Sequence, residues 1–88
     1  MRNSFFTYVL YASRYTKIYI GQTSNLKGRL MSHYYFATKG HTVKFRPWKL
    51  VLAEKFPTRK DAIVRERQLK SAKGRQYIWT LIKKKFPD

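Results

Sequence analysis

The chain contains no cysteine. Disulfide frameworks, thiolate zinc sites and cysteine nucleophiles are thereby excluded, and a reducing cytoplasm is the expected setting. Acidic side chains are almost as scarce, being confined to Glu54, Asp61, Glu66 and Asp88. A two-metal nuclease or polymerase centre needs several clustered carboxylates, and a carboxylate-pair glycosidase needs two in register. Neither class suits this inventory. A catalytic metal would rest on a single protein carboxylate, with water and substrate as its other ligands, an arrangement suited to Mg2+. No apolar run is long enough to span a membrane, and the N-terminus lacks the apolar stretch of a signal peptide. At 88 residues the expectation is one domain, 1–88, with no second module. A chain of that size buries roughly 60–65% of its unfolded surface, enough for one modest core.

What is abundant is positive charge. Twenty Lys and Arg against four acids give a net charge of +16. The basic residues run along the whole chain and are interleaved with Tyr, Phe and Trp, and neutralising phosphates is the main sequence-independent source of nucleic-acid affinity. No basic amphipathic anchor points to a membrane surface. Nucleic acid is the expected partner, with DNA favoured and RNA also compatible.

Phe5 to Ala12 reads as a strand covered on both faces, Ser13 to Thr16 as a turn and Lys17 to Gly21 as a second strand, the two forming an antiparallel hairpin. Ser24 or Asn25 can cap a helix whose Leu26, Leu30, His33 and Tyr34 share one face. Residues 37–47 form a polar, basic connection, and Trp48 to Phe56 a third strand. Thr58 opens a second helix, with Asp61 three residues on in a capping-box-like step. That helix is expected to run to about Ala72 and to stop at Gly74. Tyr77, Ile78, Leu81 and Ile82 mark a last amphipathic helix, followed by a basic tail over 83–88. The order predicts an α/β domain of the α+β type, a small antiparallel sheet of three strands flanked by about three helices.

Chemistry gathers at three places. With a four-residue turn, Leu10 faces Tyr19 and Tyr8 faces Gly21, so Tyr8 and Tyr19 are diagonal neighbours within roughly 8 Å on one face. Two phenols beside a glycine predict an open, polar-tipped spot where Gly21 lets a phosphate or backbone approach. A slip of one residue would send them to opposite faces. Arg29 and His33 lie four apart on the first helix, and a guanidinium suits bidentate phosphate contact. Glu66 falls on the inward stripe of the second helix among basic residues, where it needs either a metal or a cation as partner. Together these side chains can furnish a one-metal phosphodiesterase site. Glu66 would hold the ion, Arg29 the phosphate, and a tyrosine or His33 the water proton. Lys39, Lys44, Arg46, Lys49, Lys70 and Lys73 are candidate contacts to nucleic acid.

These residues also resemble a known pattern. Thr7-Tyr8-Val9-Leu10, Ile18-Tyr19-Ile20-Gly21-Gln22-Thr23, Asn25-Leu26 and Arg29 are similar to the GIY-YIG nuclease domain. The second triplet is intact as Tyr19-Ile20-Gly21, and Phe6-Thr7-Tyr8 stands for the first. Arg29-x-x-x-His33, Arg65-Glu66-x-x-Leu69-Lys70 and Lys44-x-Arg46-Pro47-Trp48-Lys49-Leu50-Val51 extend the resemblance over nearly the whole chain. The chain resembles short stand-alone predicted endonucleases and is similar to the N-terminal nuclease domain of the bacterial excision-repair endonuclease. It implies that Tyr19 or Tyr8 helps activate water, Arg29 stabilises the scissile phosphate and Glu66 ligates one Mg2+ or Mn2+. It further implies that His33 hydrogen-bonds near the nucleophile, and that hydrolysis leaves a 5′-phosphate and a 3′-hydroxyl.

The expected function is a metal-dependent endonuclease with low intrinsic sequence preference, drawing specificity from nucleic-acid shape or from a partner protein, as in DNA repair. Two positions depart from the family. Many members carry an Asn-Pro segment beyond the metal helix, where this chain reads Arg75-Gln76-Tyr77-Ile78-Trp79-Thr80, and repair-type members carry a Lys where it has Gln22. The missing Asn and the altered first triplet motivate a rival expectation, a non-catalytic nucleic-acid-binding module on the same scaffold. Nothing in the sequence sets the oligomeric state.

Overall fold

In the computed structural model, which describes residues 4–87, Phe5–Ala12 (β1) is the central strand of a three-stranded antiparallel sheet. Lys17–Thr23 (β2) and Lys49–Phe56 (β3) flank it. Aromatic and branched side chains make β1 fit a strand buried on both faces, and Thr7, Tyr8, Val9, Leu10 and Ala12 are all buried. A 3-10 turn over Ser13–Tyr15, with Thr16 left-handed, closes the hairpin. Its register is the predicted one: Leu10 opposes Tyr19 and Tyr8 opposes Gly21. On the other side of β1 the pairing shifts between Val9 and Leu10, so Val51 is an extra residue on β3.

Two layers cover the sheet. Val9, Ile20 and Val51 pack against Leu69, Ile78 and Ile82 of the two C-terminal helices, Arg59–Lys70 (α2) and Ala72–Lys85 (α3). On the opposite face, Tyr8, Leu10, Ala12 and Trp48 pack under Leu26 and Leu30 of Leu26–Met31 (α1), together with Tyr34 and Phe45. Asn25 is the cap of α1, its side-chain oxygen accepting the Gly28 N–H at 3.0 Å. The helix does not continue as one cylinder. Ser32–Phe36 is a π-helical turn, and a 3-10 turn over His41–Phe45 sits within the connection to β3.

The second helical region also departs from expectation. Thr58 caps α2 as predicted, accepting the Asp61 N–H at 3.1 Å. The helix ends at Lys70, however, and α3 starts two residues later. Ser71 makes the corner: its hydroxyl donates to the Gln68 carbonyl at 2.6 Å and accepts the Gly74 N–H at 3.1 Å. Gly74 is thus inside the first turn of α3 and is not a helix terminator. A Cβ there would run into the backbone of Gln68 and Leu69, so glycine is required by the close approach of the two helices. Lys83–Lys85 form the last turn of α3, where their charge complements the helix dipole, and do not trail from it. Asp88, the end of the expected tail, lies outside the described residues.

Gly74→Ala tests this corner. In an unobstructed helix the change is stabilising by up to about 1 kcal/mol. Here overpacking of about 1–3 kcal/mol wins, and thermal denaturation followed by circular dichroism should show Tm lowered by roughly 5–15 °C.

Candidate active site

The hairpin register sets Tyr8 and Tyr19 on one face with ring centroids 6.1 Å apart. Gly21 has a role different from the one its position suggested. The space its Cβ would need is filled by the Tyr8 phenol, with the hydroxyl oxygen 2.8 Å and Cζ 2.9 Å from that point. The glycine therefore makes room for a tyrosine, and the expected open spot is closed on the Tyr8 side. Tyr8 is only 1% exposed, whereas Tyr19 is half-buried.

A buried phenol requires a partner. Tyr8 finds it in His33, whose Nε2 lies 2.9 Å from the hydroxyl, and the second ring nitrogen, Nδ1, is 2.9 Å from Thr42 Oγ1. Thr42 is in turn held by Trp48, whose indole N–H donates to the Thr42 carbonyl at 2.8 Å. The Tyr19 ring packs on His33, with centroids 4.8 Å apart. Burial, the largest cause, and the neighbouring Tyr19 push the Tyr8 phenol far above its ordinary range; Glu66 adds to the rise and Arg29 opposes it. His33 is shifted the other way: burial, then the positive charges of Arg29 and Arg46, hold its imidazole below the ordinary 6.5. Both groups are neutral at pH 7. A Tyr8 O–H donating into Nε2 leaves the Nδ1–H to donate to Thr42, which satisfies the whole chain.

Arg29 and Glu66 stand on two further elements, and both act electrostatically on Tyr8. Arg29 is exposed on α1 and acts electrostatically on both Tyr8 and His33. Glu66 stands on α2 one turn past Ala62, whose carbonyl accepts a hydrogen bond from the Thr7 hydroxyl at 2.7 Å. That bond fixes the helical turn carrying Glu66 against β1, next to Tyr8 in sequence. The Glu66 side chain is 20% exposed, and its Oε2 accepts from Lys70 Nζ at 2.7 Å. The two partners open at the sequence level, a cation and a metal, are thus compatible, because Lys70 engages one oxygen only.

The remaining carboxylates are elsewhere. Glu54 is engaged by Arg65 at 2.7 Å, Asp61 sits exposed in the first turn of α2, and Asp88 is outside the described residues. No cluster of three or more His, Cys, Asp or Glu gathers among the described residues. The donor set therefore offers one carboxylate. That fits an ion such as Mg2+, which keeps several waters and takes phosphate oxygens for the rest.

The predicted nucleic-acid contacts divide. Lys39, Lys44 and Lys73 are exposed. Lys49 lies over the Phe86 ring at 5.2 Å, at the far end of α3, and Lys70 is paired with Glu66. Arg46 has a structural task instead: its guanidinium donates to the carbonyls of His33 at 2.6 Å, Ser32 at 2.8 Å and Ala37 at 2.9 Å. A guanidinium so engaged is withdrawn from phosphate, and it holds the turn that carries His33. Thr42 and Trp48 were not singled out from the sequence. A threonine in a polar connection has no periodicity to betray it, and Trp48 reads only as the start of a strand.

The His33 environment has a consequence for stability. The native state holds this imidazole neutral below its ordinary pKa, so the unfolded chain takes up the extra proton. Stability should be level between about pH 7 and 9 and fall as the pH drops from about 6.5 toward the lowered native value. Denaturant melts at pH 7.5 and 5.5 should show this loss, and His33→Gln should remove most of it.

Comparison with curated proteins returned no match. Comparison with protein families matched residues 4–80 to the GIY-YIG catalytic domain. The matched span holds β1, β2, α1, β3 and α2 with Tyr8, Tyr19, Arg29, His33 and Glu66. The chain therefore belongs to the GIY-YIG family of nuclease catalytic domains, whose substrate is nucleic acid.

Proposed function

We propose that this domain is an endonuclease that uses one Mg2+ or Mn2+ to hydrolyse DNA phosphodiester bonds with little intrinsic sequence preference. The observation that carries the reading is the convergence of a buried Tyr8–His33–Thr42 hydrogen-bond chain, the more open Tyr19, the exposed Arg29 and the single carboxylate Glu66. No helix among the described residues is long and apolar enough to cross a membrane, and a net charge of +16 favours a polyanion.

Arg29 binds the scissile phosphate, its guanidinium matching two phosphate oxygens. Tyr19 presents its hydroxyl to the attacking water. Tyr8 is held as a neutral phenol, so it is not itself the base. Its contribution is a relay, accepting a proton on oxygen while passing its own to His33 Nε2. Neutral His33 is the acceptor, and Thr42 steadies the resulting imidazolium by accepting its Nδ1–H. Glu66 would hold the metal ion, which when bound supplies Lewis-acid stabilisation to the phosphoryl oxygens. With no base-reading element in the site, selectivity comes from nucleic-acid shape or a partner protein.

A nicking assay on supercoiled plasmid, with and without Mn2+, tests this reading. Metal-dependent nicking should fall at least about a hundredfold in Glu66→Ala and Arg29→Ala, with circular dichroism unchanged. Its rate should drop at acid pH as His33 protonates. Salt-sensitive binding with no turnover on plasmid, branched DNA or RNA would instead establish a nucleic-acid-binding module on a nuclease scaffold.

A further inference from the structure

Immediately beyond His33 the chain exposes two large aromatic rings. Tyr35 is 68% and Phe36 73% exposed, the highest values among the large hydrophobic side chains described. They share the π-helical turn with His33, so their Cα atoms lie at most about 11 Å from that of His33. Such turns are uncommon and concentrate at functional sites.

The turn is rigidly built. Arg46 clamps two of its carbonyls and that of Ala37 just beyond it, the Ala37 N–H donates to the Ser32 carbonyl at 3.1 Å, and Tyr34 packs into the core beneath. The rings are ordered against one another, with Tyr34 and Tyr35 centroids 5.9 Å apart and Tyr35 and Phe36 centroids 6.3 Å apart. A partly buried cation is thus committed to the turn that holds two apolar rings out in water. Folding alone gains nothing from that exposure. On the segments either side in sequence the exposed charge is cationic: Lys27 and Arg29 on α1, and Lys39 three residues beyond Phe36.

We propose that Tyr35 and Phe36 are a stacking platform for unpaired nucleobases flanking the scissile phosphate. The preferred substrate would then be nucleic acid with a single-stranded stretch beside the cut, such as a flap, bulge or splayed end, and not uninterrupted duplex. The chemistry is that of single-strand binding elsewhere: aromatic faces stack bases of any identity while nearby Lys and Arg follow the phosphates. Bases paired within a duplex have no free face to offer. The inference rests on the nuclease reading for the position of the cut but is measurable without catalysis.

The test is binding in chelator, at one salt concentration, of labelled duplexes with and without an internal five-nucleotide unpaired stretch, in DNA and RNA arms. The wild-type chain should bind the interrupted substrate more tightly. Tyr35→Ala/Phe36→Ala should erase that preference, losing about tenfold per ring on the interrupted substrate and less than twofold on duplex. Because both rings are exposed, the double variant should melt like the wild type. If it does not, Phe36→Trp replaces it, and the emission it adds to that of Trp48 and Trp79 should be quenched by a single-stranded oligonucleotide but not by duplex. Equal loss on both substrates, no loss on either, or an unquenched Trp at position 36 overturns the platform. Wild-type dimerisation lost in the double variant also overturns it, making the rings a contact between copies. Plain-duplex nicking that persists in the double variant separates failure of this inference from failure of the nuclease reading.

Discussion

The hydrogen bond between Tyr8 and His33 is the contact on which the candidate site depends. It joins the most buried strand of the sheet to a turn 25 residues later, at 2.9 Å and away from water. Without it a phenol and an imidazole would each be buried with an unsatisfied polar atom, at about 1–3 kcal/mol apiece. Satisfying it places demands in three directions. Gly21 must lack a side chain so that the Tyr8 ring can lie over it, Thr42 must meet the second imidazole nitrogen, and the turn bearing His33 must be held in place by Arg46. The connection between α1 and β3, polar and basic in sequence, is for this reason as closely determined as the sheet.

Charge sets the second constraint. With 20 cations and 4 acids, most basic groups have no acid to pair with, and attraction for a polyanion is the electrostatic consequence. The few carboxylates are correspondingly committed. Glu54 ties β3 to Arg65 of α2, Asp61 favours the positive end of α2, and among the described carboxylates Glu66 is the one that acts on the buried tyrosine. A centre with one carboxylate would leave the rest of any metal shell to water and substrate oxygens, which would couple metal binding to nucleic acid.

The uneven success of reading residues in order has a physical pattern. Tyr8, Tyr19 and their register were legible because a hairpin with a short turn fixes which residues face one another, and a period of two assigns the face. The cap at Thr58 and the apolar stripe of Leu26, Leu30 and Tyr34 were legible for the same reason, since their interactions span three or four residues. Gly74 was misread because a glycine near a helix end is ambiguous between a terminator and a contact point, and the contact lies on a different helix. Arg46 looked like one more phosphate-binding cation; its three carbonyl partners come from a turn nine to fourteen residues upstream.

The sequence by itself determined the fold class, the hairpin register and the family. Fold class and register follow from local periodicity, short-range geometry and composition, and the family from the likeness of several dispersed motifs. Only the tertiary structure decided which tyrosine is buried, which nitrogen of His33 meets which hydroxyl, what Gly21 and Gly74 make room for, and which cations remain available to a ligand. Those outcomes depend on burial and on contacts between segments far apart in the chain. Desolvation is a property of what packs around a group, and no neighbour in sequence reports it.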